Sequence, residues 1–146
     1  MNKQRIILAG GSGFLGGELA KHFKALDWDV VILTRSLKSR TDGIREVAWD
    51  TKSLGDWSRE LKGATAVVNL TGRSVDCRYN AKNRREIMES RVNSTRVIGE
   101  AIAQCNTPPH VWLNSSTATL YQHTFGKPHD ESSREITRAR LGVLRC

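Results

Sequence analysis

The stretch IILAGGSGFLGGELA, residues 6–20, places glycine at 10, 11, 13, 16 and 17, just where an apolar run stops and a helical pattern begins. Glycine inside regular structure is destabilising, so a cluster this dense marks a place where backbone must come very close to something. Residues 5–9, RIILA, read as a short buried strand ended by glycine. Leu15, Leu19, Phe23 and Leu26 then recur at steps of four, four and three, the apolar stripe of a helix lying on a sheet. Gly10, Gly13 and Gly16 therefore fall in the first strand-to-helix turn, in the spacing G-x-x-G-x-x-G. Exposed N–H groups in such a turn, at a helix N-terminus, attract a pyrophosphate. A side chain at 13 would fill the space the phosphates need, and a glycine at 16 lets the helix approach the sheet. The strand before, the helix after and the position in the chain all agree with dinucleotide binding.

The rest of the chain extends the pattern. DVVILT (29–34) reads as a second strand, IREVAW (44–49) as a third, ATAVVNLTG (64–72) as a fourth and HVWLNSS (110–116) as a fifth. LGDWSRELKG (54–63) looks like a short helix closed by Gly63. A long polar helix is expected from about Asn80 to Cys105, with Val97, Ile98, Ala101 and Ile102 on its apolar side and Pro108 and Pro109 stopping it. Strands alternating with helices imply right-handed crossovers and an α/β fold: a doubly wound parallel sheet of order 3-2-1-4-5 with helices on both faces. Ligands bind at the carboxyl ends of such strands.

The end of the second strand selects the dinucleotide. NAD-binding domains commonly carry Asp or Glu there, hydrogen-bonded to the ribose 2′-hydroxyl. Here the strand runs into ILTRSLKSR, with Arg35 in that place and Lys38 and Arg40 nearby. A carboxylate would repel a 2′-phosphate, whereas arginine can hold it in bidentate fashion. The expected cofactor is NADP(H) rather than NAD(H), the competing account being that these cations merely solvate a loop.

Formal net charge is +8, which favours an anionic partner. Arg78, Lys82, Arg84, Arg85, Arg91 and Arg96 form a basic stretch, and Arg134, Arg138, Arg140 and Arg145 add a basic tail. Glu86 and Glu89 dilute the stretch, and few aromatics are available for stacking, so a nucleic-acid partner is disfavoured against a solvated helix face. Cys77, Cys105 and Cys146 show no metal-ligand spacing, and the four histidines are scattered, His123 and His129 flanking a Gly-Lys-Pro loop. Reduced thiols and no metal site are expected. No apolar run approaches the ~20 residues that span a bilayer, and the four-residue apolar run near the N-terminus is too short for a signal peptide. The expectation is a cytoplasmic protein without a membrane partner. A fifth strand left unpaired would be a sticky edge, which admits a homo-oligomer.

AGGSGFLGGELA, VVILTRS, VAWD, VVNLTG and ESRVNSTRVIGEAI, in that order, resemble the extended short-chain dehydrogenase/reductase superfamily, and within it the epimerase-family branch named for similarity to nucleotide-sugar epimerases. The resemblance covers about residues 4–133 and implies a Rossmann fold that binds NADP. Carried over by position, it places Gly10, Gly11, Ser12, Gly13, Phe14, Leu15 and Gly16 on the pyrophosphate. Thr34 and Arg35 would meet the adenosine ribose phosphate, and Leu70, Thr71 and Gly72 would line the cofactor beyond the fourth strand. Glu86 and Arg91, in REIMESR, match positions that face the cofactor in this branch, although Arg91 could equally pair with Glu86 or Glu89 on the helix surface. Asp50 sits where relatives often touch adenine, a loop-capping role being equally open.

For catalysis the resemblance implies a serine at the end of the fifth strand, matched by Ser116, that helps polarise a substrate carbonyl or alcohol. The usual proton donor is a tyrosine followed four residues later by lysine, one helical turn apart, so that the ammonium lowers the phenol pKa. Tyr79 is followed by Asn83 and Tyr121 by Phe125, so neither fits that pair; the expected catalytic side chains are Ser116 and Tyr121, as groups that orient an alcohol or ketone. The pattern weakens after Thr117. We expect an NADP-binding domain over 1–133 and a basic tail over 134–146, the N-terminal, cofactor-binding part of a longer fold. Cofactor binding is thus better supported than turnover of a substrate, whose identity the sequence leaves open. The alternative is a non-catalytic NADP-binding sensor or partner subunit.

Overall fold

In a computed structural model of the chain, residues 3–117, 121–122 and 124–132 are described. The chain divides into two compact units, residues 1–115 and 116–146. The expected basic tail, Cys146 and His123 lie outside the described residues.

The first unit contains every element of the sheet: β1 (Arg5–Ala9), α1 (Phe14–Ala25), β2 (Asp29–Thr34), β3 (Arg45–Ala48), a 3-10 helix (Asp56–Leu61), β4 (Ala66–Asn69), α2 (Ala81–Ala103) and β5 (Val111–Asn114). The strands form one sheet in the order β3-β2-β1-β4-β5. All pairs are parallel, with Ala9 opposite both Leu33 and Asn69 and Asn69 opposite Asn114. The expected order is therefore the observed one. Alternation along the strands splits the core in two. Ile7, Ala9, Val31, Leu33 and Val67 face α2 and the 3-10 helix, with Trp57, Leu61, Val97 and Ile98 among their partners. Ile6, Leu8, Val30 and Ile32 face α1, with Ala20 buried among them and Leu19 and Phe23 packed against them.

Three local expectations change. The apolar stripe of α1 reaches the core only in its middle: Leu15 and Leu26 are 54% and 56% exposed. The fully buried positions of α1 are the small ones, Gly16 and Ala20, because the helix lies too close to the backbone beneath it for a large side chain. The expected short helix over 54–63 is a single 3-10 stretch of six residues, bounded by extended Gly55 and Lys62. It is anchored by Trp57, whose Nε1 donates to the Ser53 carbonyl at 3.1 Å and whose ring meets Trp49 edge-on at 5.3 Å. Cys105 lies just past α2 rather than on it, partly buried against the core, with its thiol donating to the Thr107 carbonyl at 3.3 Å.

At the amino ends of the strands, Asp29 of β2 accepts from Arg5 of β1 at 2.6 Å and from Arg45 of β3 at 3.2 Å, and Arg45 reaches Glu60 at 2.9 Å. Partial burial pushes the Asp29 carboxyl up, but the hydrogen bonds from Arg5 and Arg45 outweigh it and hold it below its usual range. This network ties three strand ends to the 3-10 helix.

The second unit has no helix among its described residues. Tyr121 stacks on His129 with centroids 5.1 Å apart, His129 Nε2 lies 2.7 Å from the Gln122 carbonyl, and Ser132 donates its N–H and hydroxyl to Asp130.

The adjacent glycines of α1 give a paired test. A Cβ at Gly16 would sit 2.4 Å from the Gly11 Cα, whereas one at Gly17 meets nothing within 4 Å. Gly16→Ala is expected to destabilise the fold by about 1–3 kcal/mol through overpacking. Gly17→Ala should stabilise it by about 0.5–1 kcal/mol, alanine being the better helix former. Urea melts of the two variants check this, and a shift of the same sign in both would contradict it.

Candidate functional site

The turn between β1 and α1 is built by close backbone contact. Gly10 adopts φ +74, and a Cβ there would lie 2.9 Å from the Thr71 Oγ1 and 3.0 Å from its Cα. Its N–H donates to the Leu33 carbonyl at 3.0 Å, and the Leu70 N–H donates to Ala9 at 2.9 Å. The carboxyl ends of β1, β2 and β4 are thus locked together. Gly16 sits on the backbone of Gly11, so the glycine expected to bring the helix to the sheet brings it instead onto its own turn. At Gly13, the N-cap of α1, a Cβ would find only one atom at 4.0 Å, the Gly10 carbonyl oxygen. The space above Gly13 is open. No side chain caps α1 and no acidic residue lies in its first turn, so its N–H groups and its positive dipole end are left for an anion. Ser12, Phe14 and Leu15 are exposed.

Beside this turn lies a cleft of about 1000 Å³. Gly10, Ser12, Gly13, Thr34, Arg35, Leu70, Thr71, Gly72 and Glu86 of the expected set line it together. Thr34 is buried, and its Oγ1 accepts from the Ser36 N–H at 3.3 Å, a small turn that carries Arg35 to the rim. Arg35 has no hydrogen bond or ion pair among the described residues. Lys38 also lines the cleft, but Arg40 does not: it is held by Asp42 at 2.5 Å and Glu46 at 3.3 Å. Of the three cations after β2, two face the cleft and one is neutralised.

The floor beyond β4 is fixed by Asn69. Its amide Nδ2 donates to Asn114 Oδ1 at 3.0 Å and to Ser94 Oγ at 3.3 Å, while its Oδ1 accepts from the Thr71 N–H at 3.1 Å. Thr71 Oγ1 is buried with no hydrogen-bond partner among the described residues. An orphaned hydroxyl is costly, and here it borders a cleft.

Arg91 is engaged with backbone carbonyls. Its Nη1 donates to the carbonyls of Ile87 at 3.0 Å and Arg73 at 3.3 Å, and its guanidinium lies over Gly72, where a Cβ would be 3.0 Å from Cζ. It props the loop after β4 and is not paired with Glu86 or Glu89. Glu86 is ion-paired with Arg73 instead. Asp50 is a loop cap: its Oδ1 accepts from the N–H groups of Lys52 and Ser53, both at 2.8 Å. Ser116 and Tyr121 belong to the second unit, where Ser116 is exposed and Tyr121 partly buried.

The sequence reading missed several lining residues: Trp49, Thr51 and Lys52 after β3, Arg73 and Ser74 after β4, and Glu89, Ser90 and Asn93 on α2. The last three had a signal. With Glu86 they recur at helical spacing, which places them on one face. Among the described residues no group of three or more His, Cys, Asp or Glu side chains could hold a metal ion, and no helix is long and apolar enough to cross a membrane.

A five-stranded parallel sheet in this order, with a glycine turn at its first crossover and a cleft at the carboxyl ends, defines a Rossmann-like doubly wound fold. The model of the NAD dependent epimerase/dehydratase family matches residues 6–140, and the chain belongs to that family. Its relatives include the epimerase family protein SDR39U1 of Bos taurus, 30% identical over 132 residues that cover 88% of this chain and 42% of the relative. The epimerase family protein SH2119 of Staphylococcus haemolyticus is 31% identical over 127 residues, covering 84% and 42%. Among solved structures, human epimerase family protein SDR39U1 (isoform2) with NADPH aligns with a TM-score of 0.74 at 26% identity, over 89% of this chain and 42% of that one. UDP-N-acetylglucosamine 4-epimerase from Bacillus cereus, with a TM-score of 0.70 at 24% identity over 93% and 43%, shares the fold. The chain thus spans less than half the length of these relatives.

The Asp50 cap has a pH signature. Hydrogen bonds from Ser53 and then Lys52 lower its pKa from the usual 3.8 to about 2. A depressed carboxyl contributes stability that is complete above the unfolded value and lost as pH falls through the folded one. Between about pH 4 and 2, Asp50→Ala should therefore lose stability less steeply than the wild type, from a lower starting point. Urea titrations across that range test this, and parallel declines would contradict it.

Proposed function

We propose that this chain binds NADP(H) at the carboxyl ends of β1, β2 and β4, as the cofactor-binding part of a short-chain-reductase-type nucleotide-sugar epimerase or oxidoreductase. The observation that carries the reading is one cleft that joins a glycine-rich turn, open at Gly13 and at an uncapped helix N-terminus, to the uncommitted cations Arg35 and Lys38. The residues present fit the group. The open space at Gly13 suits a pyrophosphate, and the uncapped N–H groups at the start of α1 supply donors for it, those of Gly10 and Gly11 being spent on Leu33 and Leu8. Arg35, carried on the Thr34 turn, would hold a 2′-phosphate, for which an acid at the same place would be repulsive. Leu70, Thr71 and Gly72 would line the cofactor, the Thr71 hydroxyl offering an unmet hydrogen bond. Glu86 would border it, and Arg91 would act by holding the Gly72 backbone in place. The human relative solved with NADPH supports the choice of nicotinamide cofactor.

NADP(H), when bound, supplies hydride transfer at its nicotinamide. Ser116 and Tyr121 are the side chains we propose for orienting a substrate alcohol or ketone through their hydroxyls. Binding and turnover are separate claims with separate tests. Calorimetric titration is expected to show NADPH bound more tightly than NADH. Arg35→Asp should weaken NADPH by about tenfold or more and help NADH, and Gly13→Val should abolish binding of both. No heat with either cofactor, or a preference for NADH, would overturn the reading. For turnover, NADPH oxidation would be followed against nucleotide sugars and small carbonyl compounds. Ser116→Ala and Tyr121→Phe are expected to remove it while leaving NADPH affinity unchanged.

A further inference from the structure

Four cationic side chains line the cleft: Arg35, Lys38, Lys52 and Arg73. Arg73 is committed, by its ion pair with Glu86 and a 2.9 Å hydrogen bond to Asn83. The side chains of the other three have no hydrogen bond or ion pair among the described residues. Arg35 and Lys38 follow β2, whereas Lys52 arrives from a different strand, on the loop after β3.

That loop is held more firmly than a solvated lysine needs. Thr51 has φ +69, a left-handed conformation that is unfavourable for a β-branched residue. It persists because the peptide units on both sides of Lys52 are fixed. The N–H of Lys52 donates to Asp50 Oδ1 at 2.8 Å. The Lys52 carbonyl accepts from Arg96 Nη2 at 2.8 Å, from a residue 44 positions further along. Arg96 is itself steadied by Glu100 at 2.7 Å. Strain that the surroundings over-determine clusters at functional positions, and the outcome here is a lysine set at the cleft on the loop after β3, the strand that neighbours β2 in the sheet.

We infer that Lys52 is a specificity-determining residue for the phosphate of the dinucleotide, supplying a point charge that supplements the planar guanidinium of Arg35. Arg96 is a positioning residue that acts through the Lys52 carbonyl. The inference rests on the NADP(H) reading above, and its test separates the two.

NADPH and NADH are titrated calorimetrically against the wild type, Lys52→Ala, Lys52→Arg and Arg96→Ala. Lys52→Ala should weaken NADPH about fivefold while NADH stays within about twofold, so the ratio of the two affinities falls. Lys52→Arg, which keeps the charge, should restore most of that ratio. Arg96→Ala should lower the ratio in the same direction, a change that general loosening of the fold would not produce. A wild type that prefers NADPH but whose preference survives Lys52→Ala intact overturns the role of Lys52 and leaves the cofactor reading standing. A wild type with no preference overturns the reading on which it rests. Equal weakening of both cofactors by Arg96→Ala overturns the positioning role.

Discussion

The contact on which the carboxyl edge of the sheet depends is between two stretches of backbone. Gly16 in α1 rests on Gly11 in the turn before it, with no room for a methyl group between them. That contact sets where α1 begins, and with it the direction of the uncapped first turn. It also keeps the turn folded down onto Leu8, whose carbonyl accepts from the Gly11 N–H at 3.1 Å. Gly10 can then meet Thr71 closely enough to join β1 to the loop after β4. With Gly10, Gly11 and Gly16 drawn inward by these contacts, the space beside Gly13 is left open.

Charge is divided along the strand axis. At the amino ends, Arg5, Asp29, Arg45 and Glu60 satisfy one another, and Lys3 pairs with Asp27. At the carboxyl ends the pairing is incomplete, leaving positive charge beside a helix N-terminus. The excess of +8 therefore matters less than where it is left unneutralised. A potential of this form draws anions toward one end of the sheet.

Much of this was readable from the residues because it rests on local rules. Short apolar strands alternating with helices fix the parallel order, and the G-x-x-G-x-x-G spacing fixes the turn. What failed to show in the sequence depended on partners distant along the chain or on small differences of length. Arg40 seemed one of three equivalent cations until Asp42 and Glu46 were seen to hold it. Leu15 and Leu26 kept helical spacing yet lie outside the contact, because α1 meets the sheet through Ala20, Leu19 and Phe23. Six residues around Trp57 suit a 3-10 turn as well as an α-helix, and the Trp49 contact is what anchors them. Lys52 had no motif to announce it, since its setting is made by Arg96. The polar face of α2 from Glu86 to Asn93 was legible in principle, by the same periodicity that gave its apolar face.

Asn69 is the feature with the widest mechanical reach. A single buried amide reads the outer strand through Asn114, the long helix through Ser94 and the cleft floor through the Thr71 amide. The exposed margin of the sheet is coupled to that floor by one rigid planar group. A displacement of β5 would therefore load the same amide that holds the Thr71 N–H.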